Sequence, residues 1–292
     1  MPMESTLRIA AYGLLAIATS ATAGCSGSSK VDPEAFAWSG ALAAPGVIRL
    51  RDTNGSIDVK PATDGNVRIT AETRWRRGNP KRDINFVVAS NGNDVTVCAV
   101  WGSGTCTATE YKSGSHSLLR SLFRGGTTDA TVKFTVFVPT GVKVDASTTN
   151  GGVTVLATAP VQAHTINGTV KVGTSVGPVE ASTMNGNVDA RMTTLGGDGP
   201  VKVTTMNGTA SAYLPEAFDG AVHVSTMNGR VGSDYAVTVT GGESSKNSVE
   251  GSIGAGGRVV EVTSMNGSAW LRKLNADGTV AGTTASTPAA KP

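Results

Sequence analysis

The chain has 292 residues, with 25 Lys and Arg against 22 Asp and Glu, a formal net charge of +3. So small a surplus leaves no electrostatic footprint for nucleic acid, and none is expected as a partner. With 37 glycines, only 14 aromatic residues (4 Trp, 4 Tyr, 6 Phe) and 16% charged residues, the composition argues against a helical enzyme. It fits an all-β body with a thin core of small side chains.

From Ile9 the sequence runs IAAYGLLAIATSATAGC, an apolar stretch too short to span a bilayer and followed by small residues. It reads as an export signal over residues 1–24. Thr22-Ala23-Gly24-Cys25 resembles the bacterial lipobox, with Thr22 where leucine is usual, so Cys25 is the expected lipidation site. The alternative is ordinary secretory cleavage nearby, with Cys25 left as a thiol. Lipidation would make residues 25–45, beginning SGSSK after the cysteine, a flexible tether. Ser26 rather than an acidic residue after the cysteine points to outer-membrane sorting, so the membrane is an expected partner through the anchor.

Residues 46–73 read as a first structural repeat, and residues 74–129 as an insertion after it. At the start of the insertion, RWRRGNPKR gathers Arg74, Arg76, Arg77, Lys81 and Arg82 around Trp75. Arginine forks suit phosphate oxygens of lipid or polysaccharide, while the plainer reading is a solvated loop. DINFVVAS and DVTVCAVW predict a hairpin through Asn91-Gly92. In an exported chain, Cys98 and Cys106 are expected to form a local disulfide, because the CxxC spacing of redox and zinc sites is absent. SLLRSLFR, Ser117 to Arg124, could form a short basic amphipathic helix that covers an open solenoid end, with contact to the membrane as the alternative.

Residues 130–274 carry the main repeat. Asn-Gly recurs at Asn54-Gly55, Asn150-Gly151, Asn167-Gly168, Asn185-Gly186, Asn207-Gly208, Asn228-Gly229 and Asn266-Gly267. Counting from the asparagine, positions minus six, minus four, plus three and plus five are almost all small apolar residues, and minus two is Thr or Ser except at Asp52. Strict alternation on both sides of a corner predicts two short strands, each with one buried face. A degenerate copy at Glu250-Gly251 makes the steps after Asn150 17, 18, 22, 21, 22 and 16 residues. Asn-Gly is expected at such a corner because both residues accept positive φ. A meander of hairpins would alternate in the same way, but it gives no reason for one side chain to recur at equivalent positions. Stacking like on like about 4.8 Å apart does, so the predicted fold is a β-solenoid of rungs of about 17–22 residues with an asparagine ladder. The opposite corners ATAP, TSVGP, TTLGGDGP and LPEAFDG vary, as specificity loops on a rigid scaffold do. Residues 275–292 read as a disordered tail.

VKFTVFVPTGVKVDASTTNGGVTV, the T-x-NG-x-V units and GSIGAGGRVVEVTSMNGSAWLR resemble the bacterial putative-adhesin family, a β-strand-repeat domain of unknown function, from about Gly46 to Arg272. The resemblance implies an envelope-associated β-solenoid with no known catalytic residues.

Position minus one reads Thr53, Thr149, Ile166, Met184, Met206, Met227 and Met265. Its parity points outward, and an exposed apolar stripe would be anomalous. The favoured reading is that the insertion or the corner covers Ile166, Met184, Met206, Met227 and Met265. A partner-binding strip is second. Soft-metal binding through thioether sulfur is third, since no Cys or His ladder accompanies it. Catalysis is not expected. No column of the repeat carries repeated acids in this reading, and His116, His164 and His223 are scattered. No cofactor or metal is expected, and the sequence leaves the oligomeric state open. The resulting reading is a lipid-anchored, non-catalytic envelope scaffold or adhesin, with an envelope protein or polysaccharide as partner. The alternatives are a periplasmic partner-binding or envelope-sensing module and a carbohydrate-active β-helix enzyme.

Overall fold

The computed structural model describes residues 29–114, 128–197, 199–239, 246–275 and 278–280. Two large sheets face each other. One runs in the order Lys30–Ala41, Asn66–Arg77, Asp129–Val138, Gly55–Pro61, Val153–Ala157, Val170–Thr174, Val188–Arg191, Ala210–Pro215, Ala269–Leu274, Val231–Ser233. The other runs Thr238–Val239, Ser248–Ile253, Gly220–Asn228, Arg258–Asn266, Val201–Asn207, Val179–Asn185, Val161–Asn167, Lys143–Asn150, Val47–Arg51, Asp94–Trp101, Ile84–Asn91. Each Asn-Gly corner sends one strand into each sheet, and successive rungs pair parallel and in register, as in Val161↔Val179, Ala163↔Ala181 and Asn167↔Asn185. The fold is the expected β-solenoid.

The core lies between the sheets and is as thin as the composition implies. Val161, Ala163, Val179, Ala181, Val201 and Val203 face Val170, Val172, Val188, Ala190, Ala210 and Ala212, all at most 2% exposed. Period-two alternation places these residues inside and their neighbours outside.

Each residue of the corner has a separate task. The asparagines hold one another: Asn167 donates its amide to Asn150 at 2.9 Å, Asn185 to Asn167 at 2.8 Å, Asn207 to Asn185 at 2.7 Å, Asn266 to Asn207 at 3.0 Å and Asn228 to Asn266 at 3.0 Å. The buried Thr or Ser at minus two donates its hydroxyl to the corner-glycine carbonyl of the neighbouring rung, for example Thr165 to Gly151 at 2.9 Å and Ser264 to Gly208 at 2.9 Å. The glycine alone takes positive φ, +151° at Gly186 and +147° at Gly208, and no described residue other than glycine does so. The expectation that asparagine also needs that region is therefore wrong. Asparagine is selected by its amide ladder, and glycine by backbone angle and close approach.

Rung order departs from chain order. The Val201–Asn207 strand pairs with Arg258–Asn266, which in turn pairs with Gly220–Asn228. The C-terminal rung is therefore inserted between the rungs of Asn207 and Asn228. The expected extra rung at Glu250-Gly251 does not form; Ser248–Ile253 is one strand running antiparallel to Gly220–Asn228, with Gly251 opposite Val222. It closes that end of the stack.

Antiparallel strands also close the other end, where two expected boundaries are corrected. Residues Lys30–Ala41, read within the tether, form a twelve-residue strand paired with Asn66–Arg77. Asp129–Val138, read as the start of the main stack, lies outside the first rung, parallel to Gly55–Pro61 and antiparallel to Asn66–Arg77. Phe36, Phe86 and Phe134 fill the junction, with ring centroids 5.0 and 6.0 Å apart. The hairpin forms as expected, with Asn91 opposite Asp94. The segments 1–24, 117–124 and 281–292, together with Cys25 and His116, lie outside the described residues.

Candidate functional site

The outer face of the asparagine-bearing sheet carries three columns. At minus one, Thr165 and Asn167 pair with Thr183 and Asn185, so Ile166 is level with Met184. The same register sets Met206 beside Met184, Met265 beside Met206 and Met227 beside Met265. Interleaving of the C-terminal rung thus turns four methionines and Ile166 into one unbroken row. The expectation that the chain covers this row is overturned: Met184, Met206, Met265 and Met227 are 41%, 37%, 38% and 64% exposed. What the insertion covers is the first member of the column. Tyr111 and Ser113 bond the hydroxyl of Thr53 at 2.7 and 3.2 Å.

At minus three the column contains Arg51, Ser147, His164, Ser182, Thr204, Thr263 and Ser225. His164 Nδ1 lies 2.8 Å from Ser182 Oγ. At minus five it contains Arg49, Asp145, Gln162, Glu180, Lys202, Glu261 and His223. Acids do recur in this column, contrary to the reading from sequence, but they alternate with cationic or amide side chains and bond them. Arg49 reaches Asp94 at 3.0 Å, and Arg51 clasps Asp145 through two contacts of 2.8 and 2.6 Å. Gln162 donates to Glu180 at 3.3 Å, and Lys202 lies 3.5 Å from Glu261. This is the cross-strand pairing that stabilises a sheet surface.

The variable corners enter this sheet through stacked prolines. Pro160, Pro178 and Pro200 accept from Val144, Val161 and Val179 of the neighbouring rungs at 3.1, 3.1 and 2.9 Å. Between these prolines and the charged column runs a groove of about 390 Å³, lined also by Arg49, Lys143, Asp145, Gln162, Glu180 and Lys202. A second depression of about 310 Å³ adjoins it over Arg51, Ser147, His164 and Ser182. Apolar rings on one wall with a few fixed polar groups on the other are the usual furniture of a ligand groove. The proline column was present in the variable corners but carried no weight without their register.

The remaining predicted residues stand elsewhere. Arg74, Lys81 and Arg82 are engaged by acids: Arg74 by Glu72, Lys81 by Asp32 at 3.6 Å and Arg82 by Asp83 at 2.9 Å. Arg76 and Arg77 are exposed at the end of the same strand. Five free cations around one anion site are therefore not assembled. Cys98 and Cys106 are disulfide-bonded, with Cα atoms 6.4 Å apart. The bridge holds the loop whose Tyr111 caps Thr53 and donates to Ala99 O at 3.1 Å. Replacing both cysteines with alanine is expected to cost about 2–3 kcal/mol by loop-closure entropy, read from urea unfolding as a lower midpoint. A change below about 0.5 kcal/mol would deny the staple a role.

Sequence reasoning passed over Asp52, the aspartate in the Thr column. It is 2% exposed. One carboxylate oxygen accepts from Thr53 N at 2.7 Å, Asn54 N at 3.3 Å and Trp101 Nε1 at 3.0 Å, while Oδ2 has no hydrogen-bond partner among the described residues. Burial pushes its pKa up to about 6, against those three bonds. Among the described residues no cluster of three His, Cys, Asp or Glu side chains could hold a metal, and no helix is long and apolar enough to cross a membrane.

Stacked in-register rungs, asparagine ladder and closed ends define a β-solenoid. Residues 140–271 match the family described as Toastrack DUF4097. At 12% identity the chain is similar to the crystal structure of a "putative cell adhesion protein" from Clostridium sporogenes, covering 83% of this chain and all of that one with a TM-score of 0.43. At 9% identity it is similar to that of a "putative adhesin" from Parabacteroides distasonis, covering 85% and 98% with a TM-score of 0.19. No curated protein matches the chain.

Proposed function

We propose that the protein is a non-catalytic module of the bacterial cell envelope, tethered by lipid on Cys25 and displaying one rigid face of its solenoid for adhesion. The observation that supports this reading is the groove between Pro160, Pro178, Pro200 and the paired charges of the next column. It sits on a scaffold whose backbone, amide and hydroxyl ladders all run in register, so the face is preorganised and binding would order little. Its acids are bonded to neighbouring cations or amides, as suits a recognition surface more than a proton-transfer site. The carboxyl that burial holds near 6, Asp52, is sealed in the interior and does not line the groove. Envelope polysaccharide or an envelope protein is the partner this face would meet.

Labelled-palmitate incorporation with a Cys25→Ala control, followed by protease accessibility on intact cells, tests the proposal. A labelled protein removed by protease is expected. A labelled but protected protein would shift the reading to a periplasmic partner-binding module, and absence of label in a normally expressed protein would remove the anchor.

A further inference from the structure

The methionine row is not explained by stability. An exposed position on a strand favours β-branched residues, and the same column holds Thr53, Thr149 and Ile166 in the earlier rungs. Methionine there ties down a flexible side chain for only partial burial, since the four are 37–64% exposed. What they share that threonine and isoleucine lack is a thioether sulfur. Thioethers are soft, uncharged donors that select monovalent coinage-metal ions over hard cations.

We propose that Met184, Met206, Met265 and Met227 form a binding site for a soft monovalent cation, Cu(I) being the biological candidate. The register is what makes the site. Parallel strands lie about 4.8 Å apart, so adjacent methionines, each with three rotatable bonds, lean together onto an ion above the sheet. In chain order Met265 stands apart from the other three; in the stack it falls between Met206 and Met227. Any three consecutive members of the row then include both Met206 and Met265. Removing that pair leaves Met184 and Met227 separated by three strand spacings, about 14 Å, too far to share an ion. Thioethers carry no proton to lose, so binding should not weaken in mild acid as it does at imidazole, thiolate or carboxylate sites. The titratable groups on the same face are Arg51 and His164 in the second column, Arg49, Asp145, Glu180, Lys202, Glu261 and His223 in the third, and Glu250 on the strand beside His223. None of them lies in the methionine column.

The test uses Ag(I) nitrate as a redox-inert probe on the disulfide-intact chain carrying Cys25→Ser, so that no free thiol competes. Calorimetry should give one equivalent bound, with affinities at pH 5 and pH 7 agreeing within about twofold. The ε-methyl resonances of Met206 and Met265 should shift, and that of Met192, which is fully buried, should stay. Met206→Leu with Met265→Leu should weaken binding at least tenfold at an unchanged melting temperature, and Met184→Leu by less. Retained affinity in the double variant, unmoved methyls at equimolar silver, or a tenfold loss at pH 5 that would assign the ion to an imidazole, would each overturn the proposal.

Discussion

Gly186→Ala is expected to destabilise the protein by about 4 kcal/mol, a large share of the roughly 5–15 kcal/mol that holds a typical domain folded. Two effects add. Gly186 sits at φ +151°, a region L side chains avoid at about 1–3 kcal/mol. A Cβ there would lie 2.0 Å from the carbonyl oxygen of Gly168 and 2.7 Å from its carbon. That carbonyl cannot step aside, because it accepts the Thr183 hydroxyl at 3.0 Å and belongs to a glycine stacked in turn on Gly151. Forced overlap of this kind adds about 1–3 kcal/mol. Gly65→Ala is the control: a methyl there meets nothing within 4 Å, and it should move stability by less than about 1 kcal/mol. Urea unfolding monitored by far-UV circular dichroism decides it. If Gly186→Ala stays within about 1 kcal/mol of wild type, the close stacking of corner glycines is not what fixes the rung spacing.

The same columns explain which parts of the structure could be read from the chain. Val161, Ala163 and Thr165 announce a strand with one buried face, and Asn167-Gly168 announces the corner, because these choices are local and recur. The hairpin through Asn91-Gly92 and the Cys98–Cys106 bridge are local as well. Rung order is not local. Every rung offers nearly the same edge, Val-x-Val-x-Thr or its equivalent, so the strand at Val201–Asn207 is as complementary to Gly220–Asn228 as to Arg258–Asn266. The choice is made by the intervening segment, where Ser248–Ile253 takes the far side of Gly220–Asn228. The methionine row inherits that ambiguity, and so does its exposure. Lys30–Ala41 was obscured for a different reason. Half of an edge strand's side chains face solvent and need not be apolar, so Ser, Gly and Ala there pass for a linker. The tie between Asp52 and Trp101 spans 49 residues and ends inside the insertion, leaving no local mark except that an acid occupies a hydroxyl column.

Asp52→Asn is expected to stabilise the protein at neutral pH, with a gain that disappears in acid. The folded-state pKa of Asp52 is raised to about 6, against about 3.9 for an unfolded chain. The fold therefore prefers the protonated carboxyl. Below pH 4 both states hold the proton and no penalty operates. Between pH 4 and 6 the unfolded chain releases its proton first, so stability falls as pH rises; above 6 both are ionised and the loss is complete. Two units correspond to about 3 kcal/mol. Asparagine keeps an oxygen for Trp101 Nε1, Thr53 N and Asn54 N and removes the charge, whereas the threonine of the other rungs would leave the indole without its acceptor. Urea midpoints at pH 4, 5, 6 and 7 should show the variant and wild type diverging between 4 and 6 and running parallel beyond. A difference constant across that range would mean that the carboxylate is solvated and that Asp52 acts through its hydrogen bonds alone. The position matters because Trp101 belongs to the strand that covers the first rung, and Asp52 is where that cover meets the stack. An ionised carboxylate buried at this seam weakens the joint between repeat and cap, so the divergence should be accompanied by faster amide exchange in Asp94–Trp101 at pH 7 in wild type than in the variant.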